Sequence, residues 1–282
     1  MDSHVALALS VLMHVTWNLI ARQQPRESSP LWWVLLAHLL IVAPWGFWAM
    51  WRSVDWSSSL AGLLTLSALA NVAYFRSLAA AYSHAPVSVV YPLVRSSPLL
   101  IACWGTWLFG HALDMGAWVG MGISVLGLLW LAGSAWTGQH RSALPWAALA
   151  MLSTSIYSLS DQHATVHVDT FMGLMGYLSV GYAAAWLSMC WQLQTSTGCW
   201  YPRQKIGLGA GLVGGLCIGT AYALVIHAMR ELTAAEAVSF TNAGIVLANV
   251  LSMVLLHDRH DWRRRLAASL VITAGLTVMA VF

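Results

Sequence analysis

The chain has 282 residues, of which 59% are hydrophobic and 8% charged, with a formal net charge of +3; an ordinary soluble domain is about 25% charged. That composition excludes a soluble globular domain, and so small and scattered a basic excess argues against a nucleic-acid partner. The solvent it implies is a lipid bilayer.

Met1-Asp2-Ser3-His4 offers no basic region and no small-residue cleavage site follows the first apolar run, so that run is expected to stay in the protein. A helix rises about 1.5 Å per residue and the hydrocarbon core is about 30 Å thick, so spans need about 20 apolar residues. Such runs occur at 4–22, 31–51, 58–82, 86–109, 115–136, 144–163, 171–193, 206–229, 234–256 and 264–282. The expected fold class is an all-α integral membrane protein with ten transmembrane helices. Connections such as "RQQPRESSP", "SHAP" and "HDRHDWRRR" carry most of the charge, and none is long enough for a soluble domain. Trp32, Trp33, Trp51, Trp56, Trp118, Trp136 and Trp146 cluster at run ends, where an amphipathic ring suits the headgroup level. Cys103, Cys190 and Cys217 lie inside apolar runs and Cys199 in a polar connection, a pattern of buried small hydrophobes rather than of disulfides or metal pairs.

The eighth run contains "GLGAGLVGGLCIG", which spells a dinucleotide-binding GxGxxG at Gly209, Gly211 and Gly214. That motif needs a preceding strand and a βαβ unit, and neither is present. A second spacing fits the surroundings better. Gly207, Gly211, Gly215 and Gly219 recur every four residues and predict a smooth helix face for close packing or sliding, since helices in lipid gain from backbone approach.

Shifting the chain by 148 positions superposes Ala73-Tyr74 on Ala221-Tyr222, Leu99 on Leu247, Leu108 on Leu256 and Gly127-Leu128 on Gly275-Leu276. A shift of 140 lays "HVTWN" at 14–18 on "TSIYS" at 154–158. These registers predict two five-helix halves, 1–137 and 138–282. Because five is odd, the halves enter the membrane in opposite directions, the inverted-repeat plan of alternating-access transporters.

"HVTWN", "AYSHAPVSVVYPLVRSSPLL" across the third and fourth runs, and "LFGHALDMGAWVGMGISVLGLLWL" leading into the fifth resemble EamA-type members of the drug/metabolite transporter superfamily. The resemblance covers essentially the whole chain and is strongest in "YPLVR". It implies a ten-helix permease moving a small molecule, in or out, across a bacterial cytoplasmic (inner) membrane. One position departs from it: the family commonly has Glu after the "FG" closing the fourth span, where this chain has His111, and the matching end of the ninth run reads Leu256-His257-Asp258. The role of that Glu does not carry over.

An arginine in mid-span costs about 2.5–3.5 kcal/mol on insertion scales, so it needs a partner or a wet cavity. Arg95 is such a residue, between Pro92 and Pro98, and the prolines predict a broken helix with free carbonyls. It either faces substrate or pairs with Asp161 or Glu236. Arg76 is near a run end, from where it can snorkel to the interface. His14 and Asn18 share one face of the first run, as cavity lining or as interhelical hydrogen-bonding groups. Ser239, Asn242, Asn249 and Ser252 form a polar stripe on the ninth. Tyr91, Tyr157, Tyr222 and Trp17 are candidate aromatic walls with polar tips. His227 and Asp161 are candidate proton carriers.

The leading functional expectation is a secondary transporter, with no cofactor and no metal, that binds a small polar or anionic metabolite, an amino acid or related compound, between two halves. Import or export, a coupled proton or exchange ion, and the oligomeric state stay open. No Walker A sequence supports ATP hydrolysis. The alternatives are an integral membrane enzyme, for which only "HDRHD" at 257–261 offers dense ligand chemistry, and a non-transporting receptor or scaffold. Nine basic residues in the loops after the first, fifth, seventh and ninth runs, against Arg52 and Arg230 in the others, place both termini outside. The family resemblance implies both inside, and a reporter fused after Phe282 decides between the two.

Overall fold

The computed structural model describes residues 1–133, 138–255 and 261–281, with positions 22, 26, 87, 88, 138, 139, 252 and 255 described in the backbone only. The polar cluster at 257–260 and the side chain of Ser252 lie outside the described residues. Among the described residues the chain is helical, with no strand beyond an isolated bridge between Val54 and Val168.

The apolar runs lie in α1 (Ser3–Arg22), α2 (Pro30–Ile41) with α3 (Ala43–Ser53), α4 (Ser58–His84), α5 (Val87–Val94) with α6 (Ser97–Phe109), α7 (Met115–Leu131), α8 (Leu144–Ala164), α9 (Phe171–Thr197), α10 (Leu208–Ala228), α11 (Ala234–Phe240) with α12 (Ala243–Leu255), and α13 (Trp262–Val281). Among the described residues five helical segments can cross a membrane by length and composition, or six when α2 and α3 count as one bent span. That is fewer than the ten expected, because the run of α5 and α6 is interrupted, the 17-residue α7 is short, and α8 and α9, though long enough, are less apolar.

Local chemistry sets the ends. Asp2 accepts from the amides of His4 and Val5 at 3.0 and 3.1 Å, Asp114 from Ala117 at 2.6 Å, and Thr170 from Gly173 at 3.0 Å, each satisfying amide donors that a helix start leaves free. Gly110 and Gly198 end α6 and α9 in the left-handed conformation. The interruptions have different causes. Pro44 lies in the first turn of α3, which is bent 51° from α2. Pro92 inside α5 and Pro98 in the first turn of α6 flank the break at Arg95-Ser96. No proline breaks α11 from α12; there Thr241 Oγ1 donates back to the Val238 carbonyl at 2.6 Å, a contact that competes with the helix ladder.

Two compact units result, Met1–Val72 with Ser160–Arg230 and Ala73–Leu159 with Glu231–Phe282. They cut across the predicted halves, since each half contributes to both units, and α4 and α8 pass from one unit to the other.

In the first unit α1 runs antiparallel to α10, with Ser10 Oγ donating to the Ala221 carbonyl at 2.7 Å and His227 Nε2 3.1 Å from the Met1 carbonyl. α3 packs on α9 through Gly46 and Gly176, where a Cβ on Gly46 would lie 2.7 Å from the Gly176 amide nitrogen. α10 packs on α2 through Gly214, Gly215 and Gly219, against Val34, Ala37 and His38. The glycine face is therefore shorter than its four-residue spacing predicts. Gly207 is the N-cap of α10 with open space beside it, and a Cβ on Gly211 would meet only Ile206, at 3.7 Å. Val34 already stands against Gly214, so one turn earlier α2 has only its first residues to offer.

In the second unit α7 and α13 lie antiparallel in close contact. A Cβ on Gly120 would be 2.6 Å from the Gly275 carbonyl oxygen, and one on Gly127 would be 3.0 Å from that of Ala268. Gly127 also abuts Ile272, and Gly275 abuts Ser124. Each contact maps onto its counterpart under the 148-residue shift.

Candidate substrate-binding site

Arg95 caps the C-terminus of α5, where the break frees its side chain from the regular helix surface. Its Nε and Nη2 donate to the Tyr91 hydroxyl at 3.0 and 2.8 Å, and its Nη1 donates to Thr241 Oγ1 at 2.7 Å. The guanidinium carbon lies 5.1 Å from the Tyr91 ring centroid, within cation–π range. The Asn242 amide donates to the Arg95 carbonyl at 3.3 Å, so the breaks α5/α6 and α11/α12 are joined directly.

Three of the five guanidinium N–H groups are thereby used. Glu236, one expected partner, is engaged in capping α11, where Thr233 donates to its Oε2 from the backbone nitrogen at 2.8 Å and from Oγ1 at 2.7 Å. The contact of His4 with Asp2, an exposed ion pair at 3.8 Å, does not involve Arg95. Arg95 thus keeps a cationic charge and two N–H donors with no carboxylate among its hydrogen-bond partners within the described residues of its unit. Beside it, Ser97 Oγ, Ser239 Oγ and Asn242 Oδ1 are buried without a hydrogen-bond partner. Buried polar groups are normally paired, so three unpaired ones at two helix breaks stand out.

Of the other expected residues in this unit, Tyr157 packs edge-on against Tyr74, with ring centroids 5.7 Å apart. Asn249 is taken up elsewhere: its amide donates to Ser269 Oγ at 3.2 Å and its Oδ1 accepts from Arg265 Nε at 3.4 Å, tying α12 to α13. Its place in the substrate stripe stays an expectation, with its polar atoms engaged in this helix contact. His111 stacks on Phe109 just beyond the end of α6.

The first unit holds a second polar cluster. Asp161, on the last turn of α8, is 1% exposed and accepts from Ser67 Oγ at 2.6 Å and from the Tyr222 hydroxyl at 2.7 Å. Asn71 donates to the Ser67 carbonyl at 2.9 Å, one turn further along α4. Tyr222, expected as an aromatic wall, is thus bound to the carboxylate expected as a proton carrier. His227, the other expected carrier, sits against the Met1 carbonyl and Phe171. His14 Nδ1 lies 3.1 Å from the Ser10 carbonyl, Asn18 donates to the His14 carbonyl at 2.7 Å, and the Trp17 indole nitrogen is buried without a partner.

Thr241, Ser97, Ser67 and Tyr177 were not singled out by the sequence. The only signal was a hydroxyl within an apolar run, which is common in membrane helices.

Together, the helical runs and the exposed apolar side chains they carry, among them Leu69, Trp45, Trp48, Trp107 and Leu187, define an integral, multi-pass membrane protein. A model of the EamA-like transporter family matches residues 3–133, so that this segment is similar to transporters of the drug/metabolite group. A solved structure described only as "Crystal structure of protein" aligns over 99% of this chain and 97% of its own, with a TM-score of 0.74 and 18% identity. At that identity the likeness speaks for the fold alone. No curated protein matches the chain significantly.

Proposed function

We propose that the protein is a secondary transporter of a small anionic metabolite, an amino acid or related carboxylate, bound by Arg95 at the junction of the α5/α6 and α11/α12 breaks. The observation that carries this reading is a guanidinium with two unused donors and no carboxylate partner among the described residues of its unit, next to the unpaired polar atoms of Ser97, Ser239 and Asn242. A carboxylate accepting two parallel hydrogen bonds would supply both the missing charge and the missing acceptors. Tyr91 and Thr241 hold the guanidinium plane for it.

The same reading takes the chain as ten spans in two inverted halves that alternate access to the two sides. In its favour are the family match over nearly the whole first half and the coincidence of the apolar runs with single or paired helices. The reciprocal glycine contacts of α7 and α13 add to it. So does direction: α7 with α13, and α3 with α9, occupy equivalent places in the two halves and run antiparallel, as inverted topology requires.

Equilibrium binding tests the site. Purified protein in nanodiscs is titrated with an L-amino-acid panel and the corresponding amino-acid amides. Binding of at least one acid, with little binding of its amide, is expected in wild type. Arg95→Lys retains charge without the two-pronged geometry and binds more weakly, and Arg95→Ala loses the preference for the acid. Equal binding of acid and amide by wild type would overturn the assignment.

A further inference from the structure

The cluster around Asp161 has a different chemistry from the Arg95 site. Its carboxylate is 1% exposed, and each oxygen accepts one short hydrogen bond from a neutral hydroxyl, Ser67 on α4 and Tyr222 on α10. From α9, the Tyr177 hydroxyl lies against the Ser67 and Asp161 side chains, itself 1% exposed and without a well-formed hydrogen bond. The groups facing the carboxyl are therefore Ser67 and Asn71 from α4, Tyr177 from α9 and Tyr222 from α10, with Gln162 and His163 flanking it on α8. The two tyrosines and His163 are the titratable ones, and among the described residues of the unit no lysine or arginine comes within 4 Å of it.

A buried carboxylate without a counter-charge is costly, and the economical way to neutralise it depends on what the surroundings can accept. A metal ion needs several oxygen lone pairs aimed at it. Here Ser67 and Tyr222 aim hydrogens at the carboxylate, and burial leaves no room for an organic cation. A proton requires one new acceptor, and an unpaired oxygen is in place at Tyr177.

We propose that Asp161 is the protonation site through which the protein couples transport to protons, with Ser67 and Tyr222 holding the ionised form and Tyr177 accepting the hydrogen of the neutral form. A proton taken from water adds to one carboxylate oxygen, and the new O–H donates to the Tyr177 hydroxyl oxygen. The other carboxylate oxygen continues to accept from its hydroxyl. Loss of the proton to water restores the ionised arrangement. The coupling role rests on the transport reading, whereas the protonation itself does not.

The test is difference infrared spectroscopy on the protein in nanodiscs, stepped between about pH 4 and about pH 9, the range over which buried carboxyls titrate. Wild type is expected to show a protonated-carboxyl band that is lost in Asp161→Asn. In Tyr177→Phe, which lacks the proposed acceptor, the band is expected to persist at a frequency shifted towards a free carboxyl. Superimposable spectra of wild type and Asp161→Asn overturn the proposal, as does an unshifted band in Tyr177→Phe. In proteoliposomes given a radiolabelled L-amino-acid mixture, an imposed pH gradient is expected to raise uptake in wild type, with no such rise in Asp161→Asn. If no labelled amino acid is taken up under any condition, the transport reading fails while the infrared result still decides the protonation site.

Discussion

Gly211 and Gly215 lie one turn apart on α10 and look equivalent in the sequence, yet they should respond to an added methyl group in opposite directions. At Gly215 a Cβ would sit 2.7 Å from the Ala37 Cβ, 2.8 Å from the His38 backbone nitrogen and 3.0 Å from the Ala37 carbonyl carbon, all on α2. Ordinary contact is roughly 3.5–4.0 Å, and backbone atoms cannot swing aside, so α2 and α10 must separate by several tenths of an ångström. Overpacking of this kind costs about 1–3 kcal/mol. At Gly211 the nearest atom is the tip of Ile206 at 3.7 Å, so no steric cost arises. Both positions gain up to about 1 kcal/mol of helix propensity on replacement by alanine. That gain cancels between the variants, so their difference reads the steric contribution alone. Gly211→Ala is expected to match or exceed wild type in stability, with Gly215→Ala about 1–3 kcal/mol below Gly211→Ala. Unfolding by SDS in mixed micelles, followed by circular dichroism, measures both. Equal stability of the two variants, or a more stable Gly215→Ala, would refute the placement of α2 against α10.

Thr241→Val removes the acceptor of an arginine N–H and is expected to cost about 1.5–3 kcal/mol in the same assay, as hydrogen bonds to charged groups do. Gly120→Ala forces a methyl group onto the Gly275 carbonyl and the Met279 amide, and should destabilise by about 1–3 kcal/mol, as should Gly275→Ala at its contact partner. Arg264 donates to the Trp130 and Leu131 carbonyls at the C-terminus of α7, so Arg264→Ala should lower thermal stability by about 0.3–1 kcal/mol, read from a melting curve.

The sequence revealed most about what the bilayer dictates. Apolar runs and their Trp-marked ends located the helices, and Pro92 and Pro98 announced the break at Arg95. The break at Val42 had a signal in Pro44 that went unread within so apolar a run. The one at Thr241 had almost none, because a threonine bonding to its own helix looks like any other threonine. That silent break also hid the partner of Arg95. The polar stripe of Ser239, Asn242, Asn249 and Ser252 follows from one continuous helix. Thr241 is off that face, and periodicity does not persist across an interruption. The glycine stripe was over-read for a related reason: spacing defines a face, but only the extent of the neighbouring helix determines how much of it is covered. Asp161 was visible as an odd carboxylate in an apolar setting. Its hydrogen-bond donors were not, since Ser67 lies 94 positions away and only tertiary packing brings it there.

The central claim, that Arg95 binds the anionic group of a transported metabolite, is tested most directly by flux into proteoliposomes containing only this protein. Uptake of at least one radiolabelled L-amino acid or related carboxylate is expected in wild type, falling to the protein-free background in Arg95→Ala while that variant still elutes as an assembled protein. Undiminished uptake by Arg95→Ala would contradict the account, as would transport of amino-acid amides at the rate of the acids.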